Sequence, residues 1–289
     1  MRPFSRAVSI ACAAAALIGF SGNSLLARVA LGGGHIDAAT FTLVRLASGA
    51  GVLLLIAAFT RRRAAVGAGG GLVPAVALFV YAAAFSFAYL RLDAGTGAFI
   101  LFGAVQITMI GWGLWRGERP GMMTWLGLAL ALGGLAALTR PSADPADTTA
   151  AGLMALAGVA WGAYSLLGRG SVDPLGVTTV NFALSVPLAA GLSAFAFASA
   201  HGSTLGVLLA VTSGALASGV GYSFWYAALP SLTATRAAIA QLIVPVLTAV
   251  AAVALLGETA TVRLVAAGAA IVVGVLLALL ASRRSRGAS

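Results

Sequence analysis

Apolar stretches of about 20 residues recur along the whole chain, separated by short segments that carry Arg, Asp, Pro and Gly. A helix rising 1.5 Å per residue needs about 20 apolar residues to cross a hydrocarbon core of about 30 Å. Each stretch therefore predicts a membrane-crossing helix. Strands of a barrel would alternate polar and apolar positions, which these stretches do not. Ten spans are predicted, over 8 to 30, 38 to 60, 71 to 91, 95 to 115, 121 to 139, 150 to 169, 175 to 199, 205 to 229, 232 to 256 and 261 to 282. Almost nothing is left over for a soluble domain.

Composition agrees with this pattern. Of 289 residues, 61% are hydrophobic and 8% charged, and the mean hydropathy is +1.03. The net charge of +10 comes from 17 basic residues, all of them Arg, gathered at span ends rather than in a nucleic-acid-binding face. With both termini inside, Arg2, Arg6, Arg61, Arg62, Arg63, Arg116, Arg119, Arg169, Arg283, Arg284 and Arg286 are cytoplasmic, and only Arg91, Arg140 and Arg263 lie outside. Arg28, Arg45 and Arg236 fall within or at the rim of spans. The asymmetry predicts an even number of spans with cytoplasmic N- and C-termini, in a cell inner membrane. The first span follows two arginines as a secretory signal would, but its length predicts an uncleaved helix. The lone Cys12 lies inside it and forms no cysteine cluster.

The chain also repeats itself. SLLAR, Ser24 to Arg28, returns as SLLGR, Ser165 to Arg169. Phe20 matches Trp161, HIDAATFTLVR ending at Arg45 matches SVDPLGVTTVN ending at Asn181, and Gly117-Glu118 matches Gly257-Glu258. Two copies of a five-span unit are predicted, 1–141 and 142–289. Because five is odd, the second copy enters from the opposite side, giving two inverted repeats.

These residues resemble the EamA domains of the drug/metabolite transporter superfamily. The likeness is carried by the two five-span halves, the Gly-Glu pairs, Arg45 early in the second span, YAAL at 226 to 229, Pro245, and the glycine pairs Gly127/Gly133 and Gly268/Gly274. The halves also depart from the family pattern and from each other: Ala38 stands against Pro174, Gln106 against Pro245, and Phe20-Ser21 against Trp161-Gly162. The resemblance implies a secondary transporter, with export the commoner direction, and some relatives export amino acids.

A polar group facing lipid is costly, so polar and aromatic residues at mid-span point to the bundle interior. The candidates are Ser21, Asn23 and Ser24 in the first span, Tyr81 and Ser86 in the third, Gln106 and Thr108 in the fourth, Trp161 and Tyr164 in the sixth, Ser218 and Tyr222 in the eighth and Gln241 in the ninth. They outline a midplane cavity. From these, Asn23, Ser24, Tyr81, Gln106, Trp161, Tyr164, Tyr222 and Gln241 are the substrate-binding candidates, amides for polar ends and aromatics for stacking. Interhelical hydrogen bonding alone also accounts for such residues, at about 0.6 kcal/mol each. Arg45 and Arg28 are candidates for attracting a substrate carboxylate, since a mid-membrane cation costs about 2.5 to 3.5 kcal/mol on insertion scales and tends to mark function. A C-terminal cation on a helix dipole explains Arg28 as well. Pro245 removes the donor that would bond the Gln241 carbonyl and predicts a bend, hence a candidate hinge.

The acids lead away from pump chemistry. Asp37, Asp93, Asp144, Asp147 and Asp173 lie in loops, and Glu118 and Glu258 follow glycines where they favour the N-terminal dipole of the next helix. GFSG at 19 to 22 resembles a serine-protease motif, but His35 and His201 lie in loops, away from it, and no metal site is predicted. The chain has no lysine and hence no P-loop. No enzyme activity and no cofactor are expected. The expected function is export of small metabolites, most simply amino acids including aromatic ones, with lipid bilayer and substrate as partners. The alternatives are a drug or other metabolite exporter of the same fold, a channel, or a non-transporting scaffold.

Overall fold

A computed structural model describes residues 6–59, 70–92, 94–138, 148–256 and 260–284. Arg2, Arg61, Arg62, Arg63, Asp93, Arg140, Asp144, Asp147, Arg286 and the Gly257-Glu258 pair lie outside the described residues.

The described chain is helical, with a single antiparallel bridge between Ile36 and Gly202. The order is α1 (Arg6–Ala27), a π-helical turn (Arg28–Gly32), α2 (Ala38–Phe59), α3 (Leu72–Ala88), α4 (Ala94–Trp115), α5 (Met122–Leu138), α6 (Thr148–Leu167) and α7 (Pro174–Phe195). Then follow α8 (Thr204–Thr212), a π-helical segment (Ser213–Val220), α9 (Gly221–Ala228), α10 (Ala234–Gln241), α11 (Ile243–Leu256) and α12 (Val262–Arg284). Helices suit this sequence because hydrocarbon offers backbone groups no partner, so each must be satisfied within its own segment.

Among the described residues, six helices are long and apolar enough to cross a membrane: Ala7–Gly32, Ala38–Phe59, Thr148–Leu167, Pro174–Phe195, Thr204–Ser231 and Ala234–Leu255. The runs at 71 to 91, 95 to 115, 121 to 139 and 261 to 282 fall on four shorter apolar helices, Leu72–Ala88, Ile100–Trp115, Met122–Ala137 and Val265–Leu280. The protein is thus a membrane protein with several membrane-spanning helices.

Helix starts follow the chain's cap chemistry. Thr233 accepts from the Arg236 amide at 3.2 Å, Ser203 from Gly206 at 3.1 Å, and Pro174 takes the first-turn position of α7. The ninth span breaks at Leu242, directly after Gln241, where Pro245 withholds a backbone donor.

Close contacts fix the helix directions. A Cβ on Gly127 would fall 2.5 Å from the Gly274 carbonyl, and one on Gly134 would meet Ala267, so α5 and α12 run antiparallel at backbone contact. Gly158 meets Leu101 while Gly162 meets Thr108, so α4 and α6 run parallel. Gly19 meets Ala217 and Asn23 meets Ser213, so α1 runs antiparallel to the eighth span. Helices α2 and α7 also lie side by side, as do α3 and α6.

Candidate functional site

Arg45 stands two turns into α2 and is 1% exposed. It is brought against the eighth span by a close backbone approach. A Cβ on Gly214 would fall 2.0 Å from the Arg45 carbonyl, so only glycine fits there. The π-helical segment widens the helix at this crossing, a feature that recurs at functional sites. Its Ser218 accepts from Arg45 Nε at 3.0 Å, and Tyr222, one turn on, accepts from Nη2 at 2.6 Å. The Tyr81 hydroxyl of α3 accepts more weakly from the same nitrogen, at 3.4 Å. The guanidinium carbon lies 5.3 Å from the Tyr81 ring centre and 5.5 Å from that of Phe85. The remaining nitrogen, Nη1, is buried and has no partner. Among the described residues no carboxylate pairs with this cation, and a guanidinium does not shed its proton in a protein. A buried, permanently charged donor is thus left open to an anion.

Aromatic rings extend from this cation into the core. Tyr81 and Tyr222 lie 5.0 and 4.7 Å from Trp161, centroid to centroid, and Phe20 meets Trp161 edge-on at 5.0 Å. Trp161 Nε1 donates to Gln241 Oε1 at 2.5 Å, just before the break in the ninth span. Gln241 donates in turn to Met109 Sδ at 3.3 Å. On α4, Gln106 donates to the Ala238 carbonyl at 2.8 Å, leaving its own buried carbonyl oxygen unpartnered. Tyr164 stacks on Tyr226 at 4.9 Å and accepts that hydroxyl's bond on its carbonyl at 2.9 Å.

The structure therefore brings Arg45, Tyr81, Trp161, Tyr164, Tyr222 and Gln241 into one connected cluster, with Gln106 on the adjoining face of α4. It does not bring in the other candidates. Asn23 accepts from Ser213 at 2.5 Å, Ser24 bonds back to Phe20 at 3.3 Å, and Arg28 sits exposed in its π-helical turn. Pro245 lies beyond the break. Ser21, the serine of GFSG, accepts from Thr248 at 3.2 Å. Among the described residues no three His, Cys, Asp or Glu side chains come together. A separate groove of about 360 Å³ between α11 and α12, lined by Val246, Val250, Gly268 and Val272, is almost wholly apolar and has nothing to orient a polar solute.

Residues 148–280 match the model of the EamA-like transporter family. The chain is 51% identical over 277 residues to Uncharacterized protein PA1977 of Pseudomonas aeruginosa, a match spanning 94% of each. The second half of the chain carries an EamA-like transporter family domain. A crystal structure of a protein at 18% identity shares the fold, with a TM-score of 0.73 over 93% of this chain and 99% of that one. The EamA-like family is one of small-molecule transporters in the drug/metabolite transporter superfamily, and its members are in general not enzymes.

A carboxylate ties each end of the bundle. Asp37 accepts from the Thr40 amide at 2.9 Å, capping α2, and with its other oxygen from the His201 amide at 2.9 Å. Burial raises the Asp37 carboxyl's pKa, but these bonds and the nearby His201 outweigh it and hold it below the ordinary value. Glu118 does not serve the next helix, α5, as its position predicts. Gly117, at φ 86°, turns the chain back, and Gly113 leaves room for the carboxylate. Glu118 instead accepts from the Ala234 and Thr235 amides at 2.8 and 3.1 Å, capping α10 in the other half of the sequence. Burial pushes its carboxyl up, yet the Thr235 hydroxyl, these amides and Arg169 bring it below the ordinary value.

Phe85 and Met109 belong to the cluster without having been singled out by sequence, because in an apolar span nothing distinguishes them, and Phe20 stood out there only as the repeat match of Trp161. Ser218 was visible as a mid-span polar residue, but its pairing with Arg45 was not.

Proposed function

We propose that the protein is a secondary transporter that exports small metabolites, most simply amino acids including aromatic ones, by alternating access through the Arg45–Trp161 cluster. The observation that carries this reading is the unpartnered Nη1 of the buried Arg45, a fixed donor for a substrate carboxylate on a guanidinium whose carbon lies 5.3 and 5.5 Å from the Tyr81 and Phe85 rings. A cationic drug would find no acid in the cluster among the described residues.

The mechanism needs two halves that can rock, and helix pairing supports the division into 1–141 and 142–289 as inverted repeats. Numbering the spans one to ten, the first pairs with the eighth and the third with the sixth. The first also pairs with the ninth and the fourth with the sixth; the second pairs with the seventh, and the fifth with the tenth. Exchanging the first five spans for the last five reproduces this set of pairings. The break beside Pro245, next to Gln241, supplies a hinge on the cluster's edge. The arginine asymmetry supports cytoplasmic termini in an inner membrane.

The test is flux of radiolabelled amino acids in proteoliposomes with purified protein. A carrier gives saturable uptake and counterflow, which neither a channel nor a scaffold produces. No flux above empty vesicles for any amino acid would end the substrate reading.

A further inference from the structure

The span Thr204–Ser231 has 28 residues, about 42 Å at 1.5 Å per residue, and the two Arg45 partners Ser218 and Tyr222 lie in its middle. Its two ends are held differently from its centre. At the Thr204 end, Asp37 binds the His201 amide at 2.9 Å while its own amide donates to the His201 carbonyl at 3.0 Å, and the Ser203 amide donates to His35 at 2.7 Å. At the Ser231 end, Glu118 grips the Ala234 and Thr235 amides at 2.8 and 3.1 Å, and Arg169 donates to the Leu232 carbonyl at 3.1 Å. Each carboxylate belongs to the first half of the sequence, and the amides it ties across the bundle belong to the second. Between them the cluster is sealed: Arg45, Tyr222 and Gln241 are at most 1% exposed.

We infer that Asp37 and Glu118 are opposed latches, each closing the bundle at one end over the Arg45 cluster. Release of one while the other holds exposes the cluster to one side of the membrane. This rests on the carrier reading above. The chemistry suits a latch. A loop carboxylate at a water-facing end can exchange its amide partners for water, so opening leaves no buried charge stranded. The mid-span bonds, such as Asn23 to Ser213, have no water to replace them and suit permanent packing. Glu118 takes two amides across the bundle, whereas Asp37 takes the His201 amide across it and the Thr40 amide of its own helix.

The test separates latch from cap. Asp37→Ser keeps a short acceptor for the Thr40 amide but cannot reach His201; Glu118→Gln keeps one carbonyl oxygen but loses the charge and the second acceptor. In a Cys12→Ala background, spin-label pairs at Gly32 and Ser199 report the first end, and pairs at Arg119 and Ser231 the other. Pulsed dipolar spectroscopy of the full-length protein in nanodiscs is expected to show Asp37→Ser raising the long-distance population at the first end roughly tenfold, the loss of one charge-assisted bond. Glu118→Gln is expected to do so at the second end only. Unchanged distances in both variants, or lengthening at both ends in either, would overturn the latches. Counterflow by the unlabelled wild type is measured in parallel. Its absence removes the carrier reading, whereas its presence with unmoved distances removes the latches alone.

Discussion

Nη2 of Arg45 donates to the hydroxyl of Tyr222 across 2.6 Å, joining the second span to the eighth between residues 177 apart in sequence. The bond exists because Gly214 lets α2 approach the π-helical segment at backbone contact. It aims Nε and Nη2 at protein hydroxyls and leaves the buried Nη1 without a partner. An unmade bond at a buried donor costs about 1 to 3 kcal/mol, which a substrate carboxylate on Nη1 would recover.

Arg45→Lys is therefore expected to insert normally and to raise the apparent KM for substrate at least about tenfold, because an ammonium cannot present a planar fork to a carboxylate. Counterflow kinetics alongside the yield of inserted protein check this. Wild-type KM would remove Arg45 from the substrate's contacts.

Trp161 and Gln241 are expected to act as one unit. Trp161→Phe keeps the ring but leaves Gln241 Oε1 without its donor, and Gln241→Ala removes the acceptor. Each is expected to cut flux about three- to tenfold at unchanged inserted protein, and the double variant no further than the worse single one. Additive losses in this cycle would show that the two residues contribute separately.

The crossing of α2 and the π-helical segment should tolerate no side chain. Gly214→Ala is expected to destabilise by roughly 1 to 3 kcal/mol, since its Cβ would overlap the Arg45 carbonyl and displace the guanidinium with it. Gly51, with nothing within 4 Å of an added Cβ, is the control, and Gly51→Ala should be neutral or slightly stabilising. Unfolding in detergent compares the two.

Asp37 and Glu118 both have lowered carboxyl pKa values. A depressed folded-state value contributes stability that is present above the unfolded value and is lost as pH falls through the folded one. The melting temperature is expected to stay flat from about pH 8 to pH 5 and to fall below about pH 4. The double variant Asp37→Ser/Glu118→Gln should melt lower at neutral pH and show a shallower acid decline. A parallel decline in wild type and variant would assign the acid loss to other groups.

The apolar runs and the EamA-like domain were legible in the sequence, because hydropathy over about 20 residues is a local property and the domain's short motifs are read directly from consecutive residues. The caps at Ser203 and Thr233 and the break after Gln241 were also local. Tertiary structure alone decided which mid-span residues meet. Tyr81, Trp161, Tyr222 and Gln241 converge on Arg45's side of the bundle, whereas Asn23, polar at mid-span like them, turns to Ser213, and Arg28 at the span's end turns to the surface. Hydropathy assigns a residue to a span but not to a face, and in spans apolar all round no periodicity reveals the face. The π-helical segment carries Ser218 and leads into Tyr222, and its contact with α2 through Gly214 joins residues far apart in sequence. Glu118 shows the same division. Its charge and its place after a glycine were plain in the sequence, but the helix it caps begins 116 residues later, at Ala234, and only the packing of α4 against α10 puts that end within reach.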